Sequence, residues 1–479
     1  MSNKIIIFIL IAGLFYRLIM TSNGNFLFNM DNARDMVDVR EMVVLGKLRL
    51  TGPTSAIEGL FNGPAWYYLL AILFIFSGGD PYASVIMEII LWAVGGFFLL
   101  KLVSRWSIWL IVPIGLLWVA SNYVVLTNLY AFNPNPVILL TPFFIYLLAE
   151  YIQHDKGIFL VLVFLLAGLF FNLEMNFGVF TPLIILVSLI LTRKGGAVKN
   201  KWFWMGVMAF ILTILPQIIF DLRHQFIMSK AIIRHLSENK NTGFDFFQTF
   251  FDSFSATLMN HKLFAGIILA SLLFVLKKDP VVTISLVLIL VPFLGYLILP
   301  VTVNSWHLGG EMAAAIVLVA FLIKRFPVFS IFIIFFALSN IVNFFLHDLG
   351  KPNTDPSLYK NEIAAIDYVY EYANGKNFKV YTYLPSVYDY PYQYLFWWYG
   401  QKRYGYIPGE YAYSPNKPQY IPGQDKFQGS QENFSGLVFL IKEPDRNYTR
   451  PGWEGSFVQL ETIKKEMVGS IEIEIKKEF

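Results

Sequence analysis

From Ile5 to Leu346 the chain returns repeatedly to long apolar runs, and no other feature restricts its fold as strongly. In hydrocarbon every backbone N–H and C=O must be satisfied within the spanning segments, so such runs are expected to be helices. Candidate spans fall at roughly 4–20, 82–103, 107–121, 134–151, 157–171, 177–192, 202–220, 263–276, 281–298, 311–323 and 327–346. Composition points the same way: 56% hydrophobic and 17% aromatic residues, with a mean hydropathy of +0.55, are too apolar for a soluble chain of 479 residues. The expected fold class is an α-helical polytopic membrane protein of about 11 transmembrane helices.

The basic residues supply a topology. Taken alternately, the loops separate by charge. One set carries Lys101 and Arg105, Lys156, Arg193 to Lys201, Lys277 and Lys278, and Lys324 and Arg325; the short loops 122–133, 172–176 and 299–310 carry no Lys or Arg. The positive-inside rule then puts the first set and Lys4 in the cytoplasm, with the C-terminal region outside. Ile5–Met20 follows Lys4 and lacks a small-residue cleavage site, so it reads as a retained anchor. Pro64–Ser77 is apolar but, at about 14 residues, is too short to span and is expected to lie in the outer interface. That leaves two long outer loops, 21–81 and 221–262, the second with an aromatic amphipathic stretch from Phe244 to Phe251.

After Leu346 the composition changes to polar, Tyr-rich sequence broken by Pro and Gly. We therefore divide the chain into a membrane part, 1–347, and a small soluble α/β domain, 348–479, on the outer face. Asp355-Pro356 reads as a helix start ahead of Asn361–Ala373, and strands are expected at Lys379–Leu384, Gly436–Ile441 and Ser470–Lys476. The aromatic run Tyr381–Tyr406 reads as packed core or interface, with a sugar platform as the alternative. Absence of cysteine excludes disulfides, thiol catalysis and Cys-ligated metal. The net charge of +4 is spread over loops and gives no reason to expect nucleic acid.

Charges at the ends of spans are costly, which makes each a functional candidate. Asp31, Asp35, Glu41, Glu88, Glu174, Asp221 and Glu311 all fall at the outer side of this topology. No comparable set marks the inner side, and no chain of ionisable residues crosses the bilayer. The asymmetry favours chemistry at the outer surface over transport. Asp31 and Asp35, at i and i+4, share one helix face. Each position also has a plain reading: Asp31 as a helix N-cap, Asp35 as a charge paired with Arg34 or Arg40, Glu88 and Glu174 as helix partners, Arg223 and His224 as end-of-span anchors.

The order of the motifs is more telling than any one of them. A span is followed by Asp31-Asn32-Ala33-Arg34-Asp35 and then by Gly52-Pro53 and Asn62-Gly63-Pro64-Ala65-Trp66-Tyr67-Tyr68. Ala131-Phe132-Asn133-Pro134-Asn135-Pro136 and Phe220-Asp221-Leu222-Arg223-His224 come later. This arrangement resembles the C-type (GT-C) glycosyltransferases over most of residues 1–350. It is most similar to the family 39-like branch of protein O-mannosyltransferases and the lipid A aminoarabinose transferase. The resemblance implies a GT-C-like fold, a polyprenyl-phosphate-linked sugar donor, and inverting transfer on the far side of the membrane. Asp31 matches the essential first-loop aspartate, whereas Asn32 stands where relatives often carry a second acid.

The chemistry suits these residues. Inverting transfer needs a carboxylate to take the acceptor proton, which makes Asp31 the candidate general base, with Asp35 beside it as the second catalytic candidate. The leaving phosphate needs cations, for which Arg34, Arg223, His224 and Arg234 are the candidates, Arg40 among the alternatives. Glu174, Asn133 and Tyr67 are candidates to contact substrate. A divalent metal held by Asp31, Asp35, Glu174 and a histidine stays open, because the spacing is not diagnostic. The expected partners are the lipid-linked donor, the bilayer, and a lipid, polysaccharide or protein acceptor. The expected activity is hexosyl or pentosyl transfer at the inner (plasma) membrane, with N-terminus cytoplasmic and C-terminal domain extracytoplasmic. The alternatives are a flippase or transporter of lipid-linked saccharide and a non-catalytic cell-envelope assembly protein.

Overall fold

The computed structural model describes residues 2–238, 244–272, 279–299, 301–415, 426–430, 434–445 and 448–478. Seven of its helices are long and apolar enough to cross a membrane: Ser2–Gly24, Tyr82–Ser104, Asn135–His154, Lys201–Arg223, Pro280–Ile298, Ser305–Arg325 and Val328–Asp348. The remaining four expected spans are shorter helices, Ile108–Ala120, Gly157–Leu173, Met175–Leu191 and Lys262–Leu272. The end of the expected span 263–276, with Lys277 and Lys278, lies outside the described residues. Helix faces that meet no protein are apolar: Ile7, Phe8, Ile11 and Phe15 are exposed on the first helix, and Ile331, Phe335 and Val342 on the last. Hydrocarbon is the solvent that suits such faces, and the protein is an integral membrane protein.

Ala65–Ser77 is a 13-residue helix. At 1.5 Å per residue it measures about 20 Å, short of the roughly 30 Å of a bilayer core. Trp66, Tyr67, Leu70, Ala71 and Phe74 recur with the helical period on its buried side, and Ile72, Ile75 and Phe76 are exposed.

By internal contacts the chain forms two units. The first comprises Met1–Ile19, Arg49–Tyr68 and Ile86–Leu349; the second comprises Met20–Leu48, Leu69–Val85 and Gly350–Phe479. The first is a helical bundle. One of its buried groups is a cation: Arg17, 1% exposed, donates to Asn128 Oδ1 at 2.6 Å and to the carbonyls of Val119 and Trp118. Its guanidinium also lies 3.8 Å from the centre of the Trp92 ring, so the charge is solvated by protein dipoles and a π face.

The second unit holds a five-stranded sheet in the order β2-β1-β3-β5-β4. The strands are β1 (Asn377–Tyr383), β2 (Glu410–Ala412), β3 (Phe434–Lys442), β4 (Glu461–Val468) and β5 (Ile471–Lys477). β1 runs parallel to β2 and β3, and β5 runs antiparallel to β3 and β4. The expected strands correspond to β1, β3 and β5. The expected helix is Tyr359–Ala373, beginning four residues after Asp355, whose carboxylate instead accepts from the Ser357 N–H at 3.0 Å. Tyr381, Tyr383, Tyr392, Tyr394, Phe396 and Trp398 are buried, so much of the aromatic run is core.

In the same unit residues 26–28 pair with the approach to this helix: Phe28 N–H donates to Ser357 O at 2.8 Å and Tyr359 N–H to Phe26 O at 2.9 Å. The Phe26 and Tyr359 rings stack above this pairing with centroids 4.8 Å apart. The segment leading into the Asp31 helix is thereby fixed.

Candidate active site

Asn29 in extended conformation caps the helix Met30–Val44, its side chain accepting from the Asp31 N–H at 3.1 Å. Because Asn29 supplies the cap, the Asp31 carboxylate is not spent on the helix end and stands in the first turn with its side chain 35% exposed. Arg34 joins the two expected acids. Its Nη1 donates to Asp31 Oδ1 at 3.1 Å, while Nε and Nη2 both donate to Asp35 Oδ1 at 3.0 and 2.9 Å. The Asp35 side chain is fully buried. One guanidinium thus ties a closed-off carboxylate to an open one.

Two neighbours on the same helix play supporting parts. Asn32 is buried and its amide donates to Leu27 O at 2.8 Å. A carboxylate there would face a carbonyl with nothing to donate, which explains why an amide suits this chain at that position. Arg40 is enclosed: Nη1 reaches Gln393 O at 3.4 Å, and the guanidinium lies 4.2 Å from the Phe427 ring centre and 5.1 Å from that of Trp397. Burial holds it below the usual guanidinium range, and it is shut off from any solvent-borne phosphate.

The first unit carries the other candidates. The run Gly52 to Pro64 folds back on itself, with Gly52 N–H donating to Asn62 O and Asn62 N–H to Pro53 O, both at 2.9 Å. It then docks on the turn Asn172–Asn176 through Gly63 N–H to Asn172 O at 2.8 Å. A Cβ on Gly63 would fall 2.0 Å from Asn172 Oδ1, and one on Gly52 would fall 2.0 Å from Gly63 O. Only glycine permits both approaches. Asn133 holds the same turn from another side, its buried amide donating to Leu173 O at 2.5 Å. Tyr67 is 1% exposed, with Arg49 5.8 Å from its ring centre.

Glu174 is buried in that turn and caps the short helix Met175–Gly178, accepting at Oε1 from the Asn176 N–H and side-chain amide, both at 3.0 Å. Burial pushes its carboxyl up to about 7 against these two hydrogen bonds. The same Asn176 amide nitrogen lies 3.1 Å from His307 Nε2, and His307 Nδ1 accepts from the Asn304 N–H at 3.2 Å. The result is a Glu174–Asn176–His307 chain. The sequence reading did not pick out His307, whose place beside Asn176 depends on segments more than a hundred residues apart.

Arg223 and His224 end the helix Lys201–Arg223 and are exposed. The His224 ring stacks on Phe220 with centroids 4.1 Å apart, and its Nδ1 lies 2.8 Å from Phe220 O. Exposed Arg234 donates from Nη2 to Glu58 O at 3.1 Å. Asp221 serves the chain itself, accepting from the Met228 N–H at 2.7 Å at the start of the helix Ile227–Glu238.

Among the described residues one set of three carboxylates, Glu454, Glu472 and Glu474, is close enough to share a metal ion. Lys442 already sits among them, with Nζ 2.7 Å from Glu454 and also against Glu474, and Arg450 closes the cluster against Glu472. Lys476 also lies 3.2 Å from Glu474, so the three acids belong to an ion-pair network that joins the helix Arg450–Glu454 to the sheet.

No family model and no curated protein matches the sequence. The fold, however, is that of crystal structures of ArnT from Cupriavidus metallidurans, one bound to undecaprenyl phosphate (TM-score 0.65) and one in the apo state (TM-score 0.66). Each is 10% identical to this chain, and the likeness covers 98% of this chain and 97% of theirs. The chain therefore has an ArnT-like fold.

Proposed function

We propose that the protein is a membrane glycosyltransferase that moves a hexosyl or pentosyl group from a polyprenyl-phosphate donor to a lipid, polysaccharide or protein acceptor. Transfer takes place on the outer side of the membrane with inversion at the anomeric carbon. The observation that carries this reading is the fold, shared over nearly the whole chain with a protein crystallised with undecaprenyl phosphate. Asp31 on the first helix after the first span adds the required chemistry.

In this reading an acceptor hydroxyl gives its proton to Asp31 as its oxygen attacks the anomeric carbon. The bond from that carbon to the donor phosphate breaks on the opposite face, and the electron pair leaves with the phosphate. Asp31 is the open carboxylate of the pair, so it contacts the acceptor. Asp35, closed off from solvent, acts as a positioning residue that fixes Arg34 and through it Asp31. Arg34 is occupied by two acids, which leaves Arg223, His224 and Arg234 as the better candidates for the departing phosphate. A divalent ion beside Asp31 would do the same work, and dependence on chelator would reveal it.

The reading is tested with purified protein offered radiolabelled polyprenyl-phosphate sugars, with membrane extract as acceptor and without ATP or an ion gradient. Transfer of label supports the enzyme. Movement of donor between leaflets without transfer would favour a flippase instead.

A further inference from the structure

The first unit contains a second feature that the catalytic reading leaves unused. A cavity of about 790 Å³ opens among three segments: 122–138, the helix Phe244–Thr257, and 304–309. Its volume is that of a site for a molecule of several rings rather than for one ion or water. Loops 122–133 and 299–310 are the two Lys- and Arg-free loops that border it, and the helix belongs to the long loop 221–262. All three face outwards in the topology read from charge.

The lining has a definite chemistry. Tyr123, Tyr130 and Trp306 supply rings, and Thr249 and Ser253 supply hydroxyls, while the Asn135 amide donates to Thr127 O and Tyr130 O. Trp306 is 42% exposed, and Tyr130, Phe132 and Trp306 form a continuous ring series, with centroid separations of 5.5 and 6.0 Å. Ser253 is buried, and its Oγ has no hydrogen-bond partner among the described residues. Among the described residues no Lys or Arg lines the cavity. The acidic residue among the described lining, Asp252, is paired with Lys262 at 2.8 Å.

These properties exclude some ligands and favour one class. A phosphate or pyrophosphate headgroup needs cations, and the described residues of the wall offer none. An acyl chain would leave the buried Ser253 hydroxyl without a partner. A neutral saccharide matches both surfaces, its C–H face against an aromatic ring and its hydroxyls against groups that both donate and accept. We propose that this cavity binds a neutral oligosaccharide, the glycan part of the acceptor. The acceptor role rests on the glycosyltransferase reading, whereas the binding itself does not.

The test is isothermal titration of the full chain in detergent with maltotriose, cellotriose and chitotriose, beside undecaprenyl phosphate. The variants are Trp306→Ala, which alters a half-exposed ring, and Ser253→Ala, which removes a hydroxyl the fold does not use. The expected result is saturable binding of a trisaccharide, weakened about tenfold by Trp306→Ala and about threefold by Ser253→Ala, with undecaprenyl phosphate affinity unchanged. The proposal is overturned if undecaprenyl phosphate binds and no trisaccharide does, or if trisaccharide binding ignores both substitutions. It is also overturned if the substitutions weaken undecaprenyl phosphate instead, which would assign the cavity to the donor. Failure of the wild type to bind undecaprenyl phosphate would count against the glycosyltransferase reading and leave the trisaccharide arm to decide this one.

Discussion

Arg34 places two donors, Nε and Nη2, on a single oxygen of Asp35, at 3.0 and 2.9 Å, and keeps Nη1 for Asp31. Replacing Arg34 with Ala withdraws a guanidinium from a fully buried carboxylate, a change that costs on the order of 3 kcal/mol in comparable buried pairs. Arg34→Ala is expected to lower the melting temperature in detergent and to depress transfer. Arg34→Lys, which keeps the charge and loses the fork, should recover part of the stability and less of the activity. Equal melting of wild type and Arg34→Ala would show that the pair holds nothing in place.

Asn32 stands where the motif resemblance leads one to expect an acid, and its amide donates to Leu27 O at 2.8 Å. Asn32→Asp should therefore destabilise the protein by about 1–3 kcal/mol rather than improve catalysis. A thermal melt and a transfer assay on the same preparation separate the two effects, and higher activity without loss of stability would contradict this account.

The glycines of the first-loop run make a steric prediction. Gly63→Ala puts a methyl 2.0 Å from Asn172 Oδ1, and the turn Asn172–Asn176 that carries Glu174 must shift to admit it. A loss of about 1–3 kcal/mol is expected, along with a fall in activity. Gly46→Ala makes the control for side-chain clash, since a Cβ there meets nothing within 4 Å, although its positive φ of 65° carries its own smaller strain. Equal stability of Gly63→Ala and wild type would refute the packing.

Asp389 is buried in the second unit, with Oδ1 accepting from the Gln393 amide at 2.7 Å. Burial pushes its carboxyl up to about 7 from an ordinary 3.8. The folded state thus binds this proton more tightly than the unfolded one. The stability it contributes is complete below about pH 3.8 and is lost as pH rises through 7. Asp389→Asn should flatten the pH dependence of melting across that window, and an unchanged slope would assign it to another group.

What the sequence discloses here follows from the range of the interactions involved. Long apolar helices are legible because their solvent is written into every turn, and β1, β3 and β5 because a buried strand needs aromatic and β-branched residues. β4 escaped because it is a charged, solvent-facing edge strand, and β2 because it has only three residues. Asp31 and Asp35 were legible as a helical pair. That Asn29 rather than Asp31 caps their helix, and that Arg34 serves both acids, depends on rotamers that spacing does not specify. Arg17 and His307 depend on partners far away in the chain, Asn128 and Asn176.

Topology has a direct check in a chain without cysteine. Cysteines placed at Ser55 and Ser386 are expected to react with an impermeant thiol reagent on intact cells, and those at Ser104 and Gly195 only after permeabilisation. Labelling of Ser104 on intact cells would invert the orientation and remove the donor chemistry from the outer face.

The central claim is that the open carboxylate of the Arg34-linked pair takes the acceptor proton. It is tested most directly by transfer rates of wild type and Asp31→Asn at saturating donor, with matched thermal melts. The account predicts a loss of at least about a hundredfold in rate with melting nearly unchanged. A rate within about threefold of wild type would contradict it and discard Asp31 as the base.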